Sequence, residues 1–475
     1  MDSSVHERLS LWALTAMVVG SMIGAGIFSL PASFARATGP FGALVAWLIA
    51  GVGMLMLAFV FQSLSSRKPD LDAGVYAYAK AGFGNYLGFS SALGYWAGTC
   101  LGNVTYFVLI GATLSAFFPA FGDGSTPGAL IFTSLILWGV HFLILRGVKE
   151  ATAINTLTTV AKIIPLVIFV VLVIAGFDKG LFTEQFWGGE TPTFSSIASQ
   201  VRSTMLVTVF VFLGIEGANV YSRYARNRRD VGLATVLGFL GVLCLLILVT
   251  VLPYGILPRE AIGQMRNPTL AGILQHLVGT WGSLLIVVGL LISVLGAYLS
   301  WSLLAAEVLY TAAHTETMPR FLARQNQHNV PVAALWLTNI TVQVFLALTL
   351  FAKEAYTLAA ELTSSMNLIP YLLVAAYALK LALKGETYES GRGRTREMLV
   401  AGVATLYAAG LIYAGGLTFL LLSALLYGPG TLLFIKARRE QGQQLFTPLE
   451  WMIFGLAMLG ALLAIYGLAT GLIEL

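Results

Sequence analysis

The residues best equipped for chemistry stand where an apolar sequence should exclude them. Glu216 lies in Phe210-Val211-Phe212-Leu213-Gly214-Ile215-Glu216-Gly217-Ala218-Asn219, and Lys162 in Asn155-Thr156-Leu157-Thr158-Thr159-Val160-Ala161-Lys162-Ile163-Ile164-Pro165. An ionised side chain at mid-membrane costs about 2.5–3.5 kcal/mol on insertion scales, so each needs a partner or a task. Glu216 can be held by free backbone N–H groups and site water and can pair an incoming cation. Its bland alternative is a structural carboxylate satisfied by locally unwound backbone. Lys162 is the only basic residue deep inside an apolar span. A buried lysine loses its proton readily, which suits a proton carrier or a fixed substitute for a bound metal cation. The competing reading is a stem that snorkels to the interface.

A third oddity is Gly20-Ser21-Met22-Ile23-Gly24-Ala25-Gly26-Ile27-Phe28, followed by Pro31. Each glycine costs a helix about 1 kcal/mol relative to alanine. Backbone polar groups inside a bilayer persist only where protein, water or ligand meets them. The stretch is therefore either a helix break that binds something, or a notch in which Gly20 and Gly24 admit a neighbouring helix. Asn103 and Tyr106, one turn apart, share a helix face. Phe210 and Trp301 offer apolar walls or cation-binding rings, although aromatics at helical spacing more often pack. Glu307 and Glu361 read as structural or interfacial.

These residues must be positioned by membrane helices. The chain is 57% hydrophobic and 10% charged, far more apolar than a soluble domain. Uncharged runs near the length needed to cross about 30 Å of hydrocarbon recur throughout. Thirteen spans are expected, over 11–35, 42–64, 86–118, 128–145, 151–176, 199–222, 233–254, 282–312, 332–351, 356–382, 397–413, 416–436 and 450–473. Of the 27 Lys and Arg residues, twenty fall on the N-terminal side of the alternation. Arg36, Lys179, Arg202, Arg259, Arg266 and Lys353 fall on the other side, and Lys162 within a span. That bias predicts a cytoplasmic N-terminus and, after an odd number of spans, an external C-terminus. The net charge of +5 then reflects topology, and a nucleic-acid role is disfavoured.

The polar connections are too short for a soluble domain, so the working parts belong in the membrane. Met1 to Ser10 does not read as a cleavable signal. Cys100 and Cys244 lie in apolar segments and indicate no disulfide framework. The histidines, His6, His141, His276, His314 and His328, form no metal spacing, and neither a nucleotide cradle nor a nucleophile elbow is present. An enzyme, a metal site and a cofactor are thus not expected. Two Gly-broken spans at matching positions of successive five-helix units point to an inverted-repeat transporter with a midplane site between the breaks.

Gly24-Ala25-Gly26 and Gly214-Ile215-Glu216 resemble the two breaks of the amino acid/polyamine/organocation transporters. The likeness extends through Gly74-Val75-Tyr76-Ala77-Tyr78-Ala79, Arg229-Asp230-Val231-Gly232, Met318-Pro319-Arg320-Phe321 and Val330-Pro331. Within that superfamily the chain is similar to the basic amino acid antiporter branch, and closest to bacterial arginine:ornithine antiporters. Leu145-Arg146-Gly147-Val148-Lys149-Glu150-Ala151 and Tyr413-Ala414-Gly415-Gly416-Leu417 carry that likeness. The resemblance implies an all-α, LeuT-like transporter domain over 1–475. Its five-helix repeats would cover 11–176 and 199–382, inverted and each with a discontinuous first helix, and accessory helices 397–473. It implies that a substrate's carboxylate and amine meet Ser21, Gly24, Ala25 and Gly26. The stem and cationic head would lie near Phe210, Leu213 and Trp301, with Thr99, Asn103, Tyr106 and Ser364 or Ser365 on the other walls. Lys162 would take the place of a sodium ion in sodium-coupled relatives, and Glu216 would serve binding and coupling. Arginine entering against ornithine is the implied exchange in a bacterial inner membrane, with lipid as surroundings and room for a homodimer. Lysine, histidine or amine exchange and proton-coupled uptake are the alternatives.

Overall fold

A computed structural model of the chain describes residues 11–71, 74–147, 152–189, 191–215, 228–388 and 393–473. Among them the structure is helical, apart from one isolated bridge between Gln325 and Pro331. The first spans are α1 (Leu11–Met22), α2 (Leu30–Ala37), α3 (Pro40–Arg67), the short α4 (Val75–Phe83) and α5 (Asn85–Leu114). Next come α6 (Pro127–Leu145), α7 (Thr152–Ala175), the short α8 (Lys179–Glu184), α9 (Phe194–Phe212) and α10 (Arg228–Val251). The short α11 (Arg259–Gly263) and α12 (Thr269–Val278) lead into α13 (Thr280–His314) and α14 (Val332–Leu348). The chain closes with α15 (Ala355–Lys384), α16 (Arg394–Glu440) and α17 (Pro448–Ala469).

Among the described residues eleven helices are long and apolar enough to cross a bilayer, and the bent pair Leu14–Met22 with Ala25–Ala37 adds a twelfth candidate. The protein is an all-α polytopic membrane protein. The expected spans over 397–413 and 416–436 emerge as one helical run of 47 residues, interrupted at Gly416 (φ 77°, ψ 178°). At 1.5 Å per residue such a run extends about 70 Å, more than twice the hydrocarbon thickness, so Gly416 divides it into two apolar lengths. The expected span over 199–222 is described only to Ile215.

Burial ranks the helices by position. In α5, 94% of the apolar window is buried, against 17% in α16 and in α17. The central helix achieves this with small residues. A Cβ at Gly94 would lie 1.9 Å from Tyr427 Oη, and one at Gly98 would lie 2.2 Å from Asn367 Nδ2, so only glycine lets α15 and α16 close on it. Helix starts are capped by sequence: Thr126 and Thr193 accept from Ala129 and Ser196. Thr447 and Glu450 form a capping box at α17. α13 packs against both α5 and α7, while α1 lies along α10 and α9 along α3. This brings the ends of α1 and α9 to the middle of the molecule.

Candidate functional site

The first break lies between Met22, where α1 ends, and Ala25, where a short 3-10 turn (Ala25–Ser29) begins; Gly24 is extended (φ −95°, ψ −172°). The two pieces differ in direction by 51°. A helix terminus leaves its last carbonyls unpaired, and Lys162 of α7 meets them. Its Nζ donates to Gly20 O at 2.6 Å and Ile23 O at 2.9 Å. The ammonium therefore sits at the negative end of the α1 dipole, as a bound cation would. Neither bond runs to the interface, so the snorkelling alternative does not describe its position. Beyond the break, the first amides of the following turn lack intrahelical acceptors by geometry. Gly24, Ala25 and Gly26 consequently line a cavity with donors suited to an anion.

The second break begins where α9 ends at Phe212. Leu213 turns extended (φ −58°, ψ 136°), and Gly214 adopts φ +102°. A Cβ at Gly214 would lie 2.5 Å from Ser21 O, and one at Gly26 would lie 2.8 Å from both Phe210 Cε1 and Val211 Cγ1. The breaks touch, and glycine is what allows the approach. The Gly20/Gly24 notch is not what the contacts show: a Cβ at Gly20 would lie 3.4 Å from Thr159 Oγ1 and one at Gly24 3.9 Å from Tyr106 Oη, ordinary distances, and the glycine that admits a neighbour is Gly26, against the Phe210 ring. Glu216 lies outside the described residues, two positions past the described Gly214.

Between the breaks is a cavity of about 500 Å³, within the range of small-molecule sites. Of the residues singled out in the sequence, Ser21, Gly24, Ala25, Gly26, Tyr106, Lys162, Phe210, Leu213 and Trp301 line it. Tyr106 and Trp301 stand edge to face, ring centres 6.3 Å apart. Ser21 Oγ donates to Val18 O at 2.9 Å, which leaves its lone pairs toward the cavity. Polar donors at one wall and aromatic rings at another suit a zwitterion with a cationic or apolar tail.

Thr99, Asn103, Ser364 and Ser365 are not among the cavity-lining residues. Thr99 Oγ1 donates to Tyr95 O at 2.8 Å. Ser364 Oγ donates to Leu206 O at 2.7 Å, and Ser365 Oγ lies 3.0 Å from Ser423 Oγ on α16. On α15 the wall is Thr363, one residue earlier, because one helical step turns a side chain by about 100°. Asn103 is fully buried and its amide has no hydrogen-bond partner among the described residues. Tyr95 and Thr363 were missed in the sequence. Tyr95 could have been found, since it shares a helix face with Gly102 and Tyr106 at i, i+7 and i+11. Of the histidines, His141 is fully buried with Nδ1 2.9 Å from Asn339 Nδ2. Cys100 and Cys244 are both free.

The cavity extends toward one end of the molecule, lined there by Ala16 of α1, Thr158 and Thr159 of α7 and Leu304 of α13. The opposite end is tied shut. Arg259 Nε donates to Ala35 O at 2.8 Å, and its guanidinium also reaches Arg36 O and Gly188 O. Tyr254 Oη donates to Thr38 O at 2.7 Å, and Thr38 Oγ1 to Gln200 Oε1 at 2.8 Å. A central cavity open to one end and latched at the other is the geometry of a carrier in one of its two states.

The family described as "Amino acid permease" matches residues 9–430. An "Arginine/ornithine antiporter" of Pseudomonas aeruginosa is 54% identical, over 100% of both chains. An "L-lysine transport protein" of Corynebacterium glutamicum is 38% identical, over 100% of this chain and 97% of its own. An "Arginine/agmatine antiporter" of Chlamydia pneumoniae is also 38% identical, over 99% of this chain and 98% of its own. With its two touching helix breaks, its central cavity and this match over most of its length, the chain belongs to the amino acid permease family.

Proposed function

We infer that the protein exchanges cationic amino acids across a bacterial inner membrane by alternating access, taking in arginine against ornithine. The observation that carries this reading is the cavity where the two breaks meet, with amides of 24–26 on one wall and Phe210, Tyr106 and Trp301 on the others. The substrate's carboxylate is assigned to those amides, and its stem and cationic head to the aromatic walls. Glu216, two residues past Gly214, is the counter-charge for the head. Lys162 holds the α1 carbonyls as a fixed cation in place of a coupling ion. Full-length similarity to a protein named an arginine/ornithine antiporter supports the substrate pair.

The same reading includes an inverted five-plus-five repeat over 11–176 and 199–382 with accessory helices 397–473. The lysine and arginine bias supports a cytoplasmic N-terminus. The latched end around Arg259 then faces outward and the open end inward. If the empty carrier holds an uncompensated carboxylate it reorients poorly, and a cationic substrate relieves that penalty. Exchange rather than net uptake follows, with no net charge moved when arginine and ornithine trade places.

Counterflow in reconstituted vesicles tests this. Labelled arginine should enter only vesicles loaded with arginine or ornithine, and collapsing a proton gradient should leave the rate unchanged. Equal uptake into empty vesicles overturns the exchange reading. Glu216→Gln should reduce cationic exchange by at least tenfold, and a wild-type rate removes Glu216 from the site. The similarity to a lysine transport protein and an arginine/agmatine antiporter makes lysine and agmatine the first competitors to include as counter-substrates.

A further inference from the structure

A second pocket, of about 370 Å³, is bounded by α6, α13 and the start of α14, and its lining includes Leu303, Leu304, Glu307, Asn329 and Val330. Leu304 lines this pocket and the central cavity alike, so the two adjoin along α13. The face that α13 turns to the central cavity is marked by Ser293, Gly296, Ala297, Ser300, Trp301 and Leu304. At 3.6 residues per turn Glu307 continues that stripe, one turn past Leu304 toward the open end and roughly 9 Å along the axis from Trp301. Of the exposed large apolar residues of α13, Trp281, Leu284, Val288, Ile292 and Leu295 occupy a different face, the one suited to lipid, while Leu304 is exposed on the cavity stripe itself.

Glu307 is solvent-exposed. It accepts a hydrogen bond from Thr311 Oγ1 at 3.3 Å, and no ion pair to it occurs among the described residues. Two lysine ammonium groups on neighbouring elements are committed elsewhere. Lys80 Nζ donates to Thr315 O and Thr317 Oγ1, and Lys162 Nζ to the α1 carbonyls. A carboxylate within a membrane-length helix, lining the pocket that adjoins the cavity at Leu304 and without an ion-pair partner among the described residues, is matched to a cation that passes. The surrounding end of the molecule carries most of the chain's lysines and arginines, whose field repels a cationic solute. Glu307 supplies a local opposite sign where the solute must enter.

We propose that Glu307 is an outlying docking site for the ammonium or guanidinium head of the substrate, occupied before the head reaches the central cavity from the open end. This rests on the cationic-amino-acid reading above and on the proposed orientation. The site sets affinity on one side of the membrane only, because α13 presents Glu307 to a single mouth.

The test uses the full-length protein in vesicles of uniform orientation, with labelled arginine and ornithine offered from either side. For Glu307→Gln, the apparent KM at the mouth lined by Ala16 and Leu304 should rise roughly fivefold relative to the KM at the other mouth, as expected for losing one close, solvent-exposed charge pair. Wild type and variant should converge as ionic strength rises, since screening removes the same attraction. Glu307→Asp, which keeps the charge, should restore most of the difference. Gel-filtration profile and thermal unfolding identify a variant that has merely failed to fold, and Glu307→Asp then carries the comparison through its salt dependence. An unchanged ratio of the two KM values in a folded Glu307→Gln protein overturns the proposal. Failure of the wild type to exchange any cationic amino acid overturns the underlying substrate reading instead, so the two failures are separable.

Discussion

At the residue scale, the fixed cation at the break has the clearest energetic consequence. Lys162 satisfies two carbonyls that α1 abandons when it stops at Met22. Lys162→Ala should destabilise the protein by about 1–3 kcal/mol, the cost of leaving buried acceptors unpaired. A lower thermal unfolding midpoint in detergent, together with loss of exchange, checks this. Gly214 is constrained twice over, by φ +102° and by the 2.5 Å approach to Ser21 O. Gly214→Ala should therefore cost more than the roughly 1–3 kcal/mol of a strained backbone alone, measured in the same unfolding assay. Lys162 and the glycines were legible in the sequence because a charge or an uncovered backbone in hydrocarbon must be explained. Ser364 and Ser365, which the family resemblance put on the wall, do not line the cavity. A hydroxyl can always return its proton to a backbone carbonyl, and only the helix rotation shows that Thr363 faces the cavity instead.

At the element scale, the long helix α16 shows how a peripheral element is divided. Gly416 takes φ 77° and ψ 178°, a region essentially restricted to glycine. The interruption frees carbonyls, and Arg202 of α9 donates from Nε to Ala414 O at 3.2 Å. A Cβ at Gly416 would lie 3.5 Å from Arg202 Nη2, an ordinary contact, so strain rather than collision governs the substitution. Gly416→Ala should lower stability by about 1–3 kcal/mol, less than Gly214→Ala, in paired thermal unfolding experiments. The other end of α16 is anchored by Arg67 of α3, which donates to Glu397 at 2.7 Å from both Nε and Nη2. The guanidinium also stacks 3.7 Å over the Tyr388 ring. Span positions were legible because hydrophobic length is a local property. The joining of 397–413 to 416–436 in one helical run was not, because whether a glycine ends a helix or merely kinks it depends on what receives the freed carbonyls.

At the scale of the whole molecule, the latch around Arg259 ties α2, the connection after α8 and α11 together at one end, while the cavity opens toward the other. Arg259→Gln should shift the population toward the state open at the latched end. With Cys100 and Cys244 replaced by alanine, a cysteine placed at Phe210 should react several-fold faster with an impermeant thiol reagent added on that side; an unchanged rate removes Arg259 from the latch. By itself the sequence determined that this is an all-α membrane protein with two special glycine breaks, and which residues at the breaks are costly enough to need a purpose. Apolar length, glycine content and isolated charges are local quantities, and their penalties in hydrocarbon apply whatever the packing. Only the tertiary structure decided that the two breaks touch through Ser21 and Gly214, that Lys162 ends on the α1 carbonyls, and that Glu307 continues the cavity face of α13. Those facts depend on helix rotation and on contacts between segments more than a hundred residues apart, which periodicity along one chain does not encode.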